Sequence, residues 1–226
     1  MAGGRPRITE EPPLRVTISD AAQDELVGQF LAQYRLTLRE DTRILFDRFT
    51  VTDVVRQVVG VGSVGMQVYL VLLEGRLGTD PLFLQVKQAG PSVYEADLDP
   101  SRHDTHGARV ISGKRLIQSA TDMFVGWGSM GGRDYYVRQF RDMKIIPTTA
   151  LIAPRLAVFA TACGETLARA HARTGDATAI AGYIGKGSKF TAAISRFAAQ
   201  YADQNERDHA QLVQAVNAGA VQSQPG

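Results

Sequence analysis

Three runs rich in β-branched and aromatic residues, "VVRQVV" (54–59), "MQVYLVLL" (66–73) and "LFLQVKQ" (82–88), follow one another with only turn residues between them. The first separator is "GVGSVG", Gly60 to Gly65, and the second is "EGRLGTDP". The segment therefore reads as strand, glycine turn, strand, turn, strand, and it constrains the fold more than any other part of the chain. Within the third run Leu84 and Val86 alternate with Gln85 and Lys87. Lys87 thus shares a face with Gln85, opposite the apolar one.

Around this centre the pattern divides the chain. The stretch to Pro13 is polar with Gly and Pro and reads as loose. From the N-cap Ser19, residues Leu26, Phe30, Tyr34 and Leu38 recur at helical spacing and predict a helix from Asp20 to about Leu38. Ser101 to Asp122 reads as a helix carrying Val110, Ile111, Leu116 and Ile117, weakened by Gly107 and Gly113, and "DYYVRQF" (134–140) returns to strand. After Pro147 a long amphipathic helix carries Leu156, Phe159, Ala160, Cys163, Leu167 and Ala170, with Gly175 as its C-cap. Another runs from Ser188 through Phe190, Ile194, Phe197, Tyr201, Leu212, Val213 and Val216. The expected class is α+β, a small antiparallel sheet followed by a helical subdomain, without internal repeats. The expected divisions are a flexible tail at 1–18, a helix-plus-sheet part at 19–146, a helical part at 147–218, and a disordered tail at 219–226, which includes "VQSQPG".

The 226 residues, 44% of them hydrophobic, hold ample material for a core. Their 25 basic and 23 acidic side chains are interspersed, for a net charge of +2, so the chain has no basic field for nucleic acid. A single cysteine, Cys163, excludes an internal disulfide and a thiolate metal cluster and reads as a small core residue. "MAGGRPRITEEPP" lacks the apolar region of a signal peptide, and the longest unbroken apolar run, Val68 to Leu73, is too short to span a bilayer. A soluble cytoplasmic protein without a membrane partner is expected.

The glycines match G-x-G-x-x-G, which three nucleotide-binding arrangements share in part. In a dinucleotide-binding fold a helix follows the third glycine, whereas here Met66 to Leu73 is a β run. The "GKR" at Gly113 and "GKG" at Gly185 do not satisfy the Walker pattern. The remaining arrangement is kinase-like: a glycine hairpin closes over the phosphates and a lysine on the next strand reaches them. Gly60, Gly62, Ser63, Gly65 and Lys87 are then the candidate nucleotide contacts. A plain hairpin with a surface lysine has the same pattern. His103 and His106 are i, i+3 but no third ligand accompanies them, and no metal site is expected. Cys163 and His171 are two turns apart on one helix, too far to act as nucleophile and base.

Five longer stretches, "RQVVGVGSVG", "LFLQVKQAGPSV", "GRDYYVRQFRDMK", "TLARAHARTGDATAIAGYIGK" and "YADQNERDH", together resemble an uncharacterised bacterial family, domain of unknown function 2252, from "GRPRITEEPPL" to about Val216. That family is itself similar to a permuted kinase-like or aminoglycoside-phosphotransferase-like fold. Its longer members carry an upstream region with a GDxHxxNFG-like motif and an acidic NDFDE-like motif, neither of which occurs here. The resemblance implies a nucleotide-binding half of a phosphotransferase, using ATP with Mg, incomplete on its own and completed by an upstream half. Self-association, or a noncatalytic module that docks a partner, is the alternative.

The chain departs from the family at Gln88, where a Glu is usual, and at Ser112, also usually Glu. No Glu occurs between Ser101 and Asp122, so Asp104, Asp122 or Glu95 would have to hold Lys87. Arg138, Arg141, Asp142 and Lys144 in "VRQFRDMK" are secondary candidates for phosphate or interlobe contacts. Asp203, Asn205 and Asp208 in "YADQNERDH", where Asp203 and Arg207 are i, i+4, are secondary candidates that the resemblance would turn toward an upstream half. By itself that segment reads as a solvated helix face.

Overall fold

The computed structural model of the chain describes residues 6–18, 21–60, 65–76, 78, 80–140 and 147–222. It divides into two compact units, Met1–Ala170 and His171–Gly226. In the first, the strands β1 (Arg15–Thr17), β2 (Phe49–Gln57), β3 (Val68–Gly75), β4 (Pro81–Ala89), β5 (Gly126–Met130) and β6 (Arg133–Gln139) form an antiparallel sheet in the order β1-β2-β3-β4-β6-β5. The expected class, a sheet followed by helices, is the observed one. The three runs around the glycines are the meander β2-β3-β4, in register from Val55 opposite Leu70 to Leu70 opposite Gln85.

Each face of the sheet has its own cover. Helix α1 (Ala21–Thr37) lays Phe30, Leu31 and Tyr34 against Val71, Leu73, Leu84, Val86, Tyr135 and Val137, all buried. Phe30 meets the Tyr135 ring edge-on at 5.8 Å, and the Tyr34 hydroxyl donates to the Phe124 carbonyl at 2.6 Å. Burying each such apolar side chain is worth about 1.5–3 kcal/mol, so this face is the main source of stability. The helix sits close because β5 offers glycine: a Cβ at Gly126 would fall 2.6 Å from Thr37 Oγ1 and 2.7 Å from the Tyr34 ring. A short helix, α2 (Glu40–Phe46), adds Phe46, which meets Tyr34 edge-on at 5.3 Å.

The opposite face carries Val55, Leu70, Leu72, Phe83, Gln85, Lys87, Tyr136, Arg138 and Trp127, as the cross-strand register requires. Ile8 plugs its β2-β3 side, packed with Val55, Leu70 and Leu72, and its backbone N–H donates to Asp53 at 2.7 Å. On the β5-β6 side lies helix α3 (His106–Ile117), capped by the Thr105 hydroxyl. Gly107 explains how α3 lies so near: a Cβ there would sit 2.3 Å from the Tyr135 carbonyl and 2.9 Å from Trp127 Cβ. This helix is shorter than the expected Ser101–Asp122. Before it lies a 3₁₀ turn (Val93–Ala96) with a Ser92–Glu95 capping box, and after it Asp122 is drawn into the loop by the N–H groups of Phe124 and Gln139.

The helical part begins with α4 (Thr149–Ile152) and α5 (Leu156–Thr174); α6 (Ala177–Ile184) and α7 (Ser188–Asn217) lie in the second unit. Asp176 caps α6 through the N–H groups of Thr178 and Ala179, a helix that lies between the two long ones expected from the sequence, where none was expected. Their apolar residues are largely exposed: Leu167 is 60%, Tyr183 87%, and Phe197 and Tyr201 60% each. Cys163, expected in the core, is exposed as well, because among the described residues no element buries α5. Thr149–Thr174, with an 18-residue window of mean hydropathy 1.3, is long and apolar enough to cross a membrane by length and composition alone. It also carries Pro154, Arg155, Glu165 and Arg169, which argue against a simple span. Ser223–Gly226 of the C-terminal tail lie outside the described residues.

Candidate functional site

The polar members of the second sheet face gather between the Ile8 plug and α3. Gln57 ends β2, Gln85 and Lys87 lie two apart on β4, and Tyr136 and Arg138 lie two apart on β6. Lys87 stands opposite Tyr136 and Gln85 opposite Arg138, so the four side chains form a square on one face. Gln57 also closes the strand that leads into the glycine turn, which places this square at the glycine end of the meander.

Among the described residues the two cations of the square have no acidic counterpart. Arg138 donates through Nε and Nη2 to the neutral amide oxygen of Gln85, at 3.0 and 2.9 Å. Lys87 has no hydrogen-bond or ion-pair partner among the described residues. Burial, and then the neighbouring Arg138 guanidinium, hold its ammonium below the usual lysine range. Tyr136, half-buried between them, has its phenol pushed up by burial and drawn back by Arg138.

None of the three carboxylates expected to hold Lys87 does so. Glu95 pairs with Arg109 at 3.5 Å and closes the capping box on Ser92; Arg109 also donates to the Gly90 carbonyl at 2.7 Å. Asp122 takes Lys114 at 3.3 Å and the two loop N–H groups. Asp104 is exposed. A kinase-like lysine–carboxylate clamp is therefore not formed within the described residues, and Arg138, a second cation, occupies the neighbourhood instead.

The glycine turn is described at its ends. Gly65 has a φ of +78°, the left-handed region that a tight turn uses, and Gly60 has open space where a Cβ would be. Gly62 and Ser63 lie outside the described residues, as do Arg141, Asp142 and Lys144. Beyond the turn Gln67 is held firmly: its backbone N–H donates to Gln88 Oε1 at 3.0 Å, its carbonyl accepts from Gln88 N–H at 2.8 Å, and its side-chain oxygen accepts from both Tyr69 and Tyr135. Gln88, where the resemblance leads one to expect a glutamate, thus serves the turn as a neutral acceptor. Burial pushes the Tyr135 phenol up to about 12.

Asp203, Asn205 and Asp208 lie exposed on α7. Asn205 and Asp208, three apart, share a helix face from which Asp203 diverges, and Asp208 accepts from Gln204 at 2.7 Å. Arg207 donates to Gln204 at 2.8 Å rather than engaging Asp203. Thr105, not a histidine, organises the start of α3, where Ser101 Oγ accepts from the His103 N–H. Among the described residues no three metal-binding side chains gather.

Sequence reasoning marked Lys87 and Arg138 separately but missed Gln57, Gln85 and Tyr136. The signal for Gln85 was present, since an amide in the middle of an apolar strand and on the same face as Lys87 needs a partner. The β4-β6 pairing that supplies it crosses 53 residues and was not legible.

A family model described as "Uncharacterized protein conserved in bacteria (DUF2252)" matches residues 1–215, and the chain belongs to that family. No curated protein and no solved structure matches it.

Proposed function

We propose that this DUF2252 protein binds the phosphates of a nucleoside triphosphate on the Lys87 face of its sheet, as the nucleotide-binding part of a kinase-like phosphotransferase. One observation carries the reading: Lys87 and Arg138 stand diagonally across β4 and β6 with no carboxylate paired to either among the described residues, at the end of the β2-β3 pair that "GVGSVG" joins in sequence. Two neighbouring cations destabilise a fold unless something anionic completes them. A polyphosphate supplies that charge, and the Gly60–Gly65 turn would lend backbone N–H groups to it.

On this reading Lys87 and Arg138 engage phosphate oxygens and Tyr136 offers a hydroxyl beside them. Magnesium would arrive with ATP. Phosphoryl transfer further needs a base and metal-holding carboxylates, which a partner chain would provide. A thermal-shift titration with Mg·ATP and with adenosine tests the binding step. Mg·ATP at a hundred times its dissociation constant should stabilise the chain by about 2.7 kcal/mol, whereas adenosine should shift it little. Equal, absent shifts in a cooperative melt would remove the nucleotide.

The exposed apolar residues of α5, α6 and α7 favour a second reading, a noncatalytic module that docks a partner chain or a second copy. Light scattering of the purified chain distinguishes it, since self-docking predicts a dimer that Phe197→Ser weakens, and a monomer leaves only the partner chain.

A further inference from the structure

The behaviour of Arg138 is set by a residue that carries no charge. Gln85 is 2% exposed, and both ends of its amide are engaged: Oε1 accepts twice from Arg138, and Nε2 donates to Gln57 Oε1 at 3.1 Å. The Gln57 bond turns the Gln85 oxygen toward the guanidinium, because an amide can offer its donor to only one side. An amide oxygen gripped by two guanidinium N–H groups orients the arginine without cancelling its charge. A carboxylate in that place would orient it equally well and neutralise it. Lys87, the next residue on that face of β4, then keeps a full positive neighbour.

We propose that Gln85 is a positioning residue: through a neutral relay from Gln57 it aims Arg138 beside Lys87 while leaving both charges available, which makes the square a polyphosphate-binding site. The ligand's being a nucleotide rests on the reading above, but the relay itself requires only a polyanion. Its mark is that an isosteric change of charge at a residue beneath the site governs affinity.

The test is calorimetric titration of the full chain with sodium tripolyphosphate, and separately with Mg·ATP, for the unaltered protein, Gln85→Glu and Gln57→Met. Gln85→Glu should retain a cooperative melt, because a buried carboxylate gains the Arg138 partner. It should lose about tenfold or more in tripolyphosphate affinity, and its binding should depend less steeply on salt, since one cation has been cancelled. Gln57→Met, at a partly exposed strand end, frees the Gln85 amide to turn and should cost about threefold. Gln85→Glu that binds as tightly as the unaltered chain overturns the proposal, as does an unaltered chain that does not bind tripolyphosphate. Should Gln85→Glu fail to fold, an undiminished affinity in Gln57→Met overturns it and a loss there supports it. Binding of tripolyphosphate without Mg·ATP would sustain the relay and remove the nucleotide reading alone.

Discussion

The sheet and the helices that follow it use similar apolar material to different ends. In the first unit Tyr34, Tyr135, Leu84 and Val137 are each 1% exposed or less, and their neighbours were made to fit them: glycines at 107 and 126 admit the two covering helices. In the second unit Ile194, Phe197 and Tyr201 recur at helical spacing on α7 yet remain 49–60% exposed. Amphipathic spacing therefore marks a surface that wants a partner, but it does not say whether the partner lies within the chain. The sheet buries its apolar residues within the first unit; those of α7 stay largely exposed.

Substitutions should break along the same line. Leu84→Ala, at a site 0% exposed, should cost about 2–5 kcal/mol in urea denaturation, while Phe197→Ala should change stability by no more than about 0.5 kcal/mol. A large loss at Phe197 would mean that α7 has a packing partner in solution. Smaller effects sharpen the contrast inside one helix. Gly107→Ala forces a Cβ toward the Tyr135 carbonyl and should destabilise by about 1–3 kcal/mol, whereas Gly113→Ala, with open space around it, should stabilise by about 0.5–1 kcal/mol. Opposite signs in thermal melts would establish that α3 is seated through its first turn. Tyr34→Phe removes the donor to the buried Phe124 carbonyl and should cost about 1–2 kcal/mol.

The β2-β3-β4 meander was legible because its signals are local: alternation, β-branched residues and turn glycines within one stretch. The face shared by Gln85 and Lys87 followed from the two-residue period alone. Strand β5, "GWGSM", was not legible, because its glycines carry no strand preference and exist to admit Phe30 and Tyr34. Ile8 gave no signal either, as one apolar residue in a polar stretch has no period, and the Asp53 contact and the packing on Val55, Leu70 and Leu72 that hold it are distant in sequence. Of the candidate site, the lysine was visible and its neutral surroundings were not. Glu95 and Asp122 looked available in sequence, but Arg109 and Lys114 had already engaged them.

Titration supplies a further check on the polar square. Burial and Arg138 depress the Lys87 pKa from its ordinary value of 10.5. Below the depressed value Lys87 is charged whether the chain is folded or not. Between the two values the folded protein has shed a proton that the unfolded chain retains, so this group's contribution to stability rises with pH across that window. Polyanion affinity should move the other way, falling as pH climbs through the depressed value. Lys87→Arg should flatten that fall over the same range, and a fall that persists in Lys87→Arg would assign it to another group.

The most direct measurement is calorimetric titration of Mg·ATP into the unaltered chain, Lys87→Ala and Arg138→Gln at one ionic strength. The account predicts saturable one-to-one binding that each variant weakens by about tenfold or more while its melt stays cooperative. Folded protein that binds no nucleotide, or variants that bind it undiminished, would contradict it.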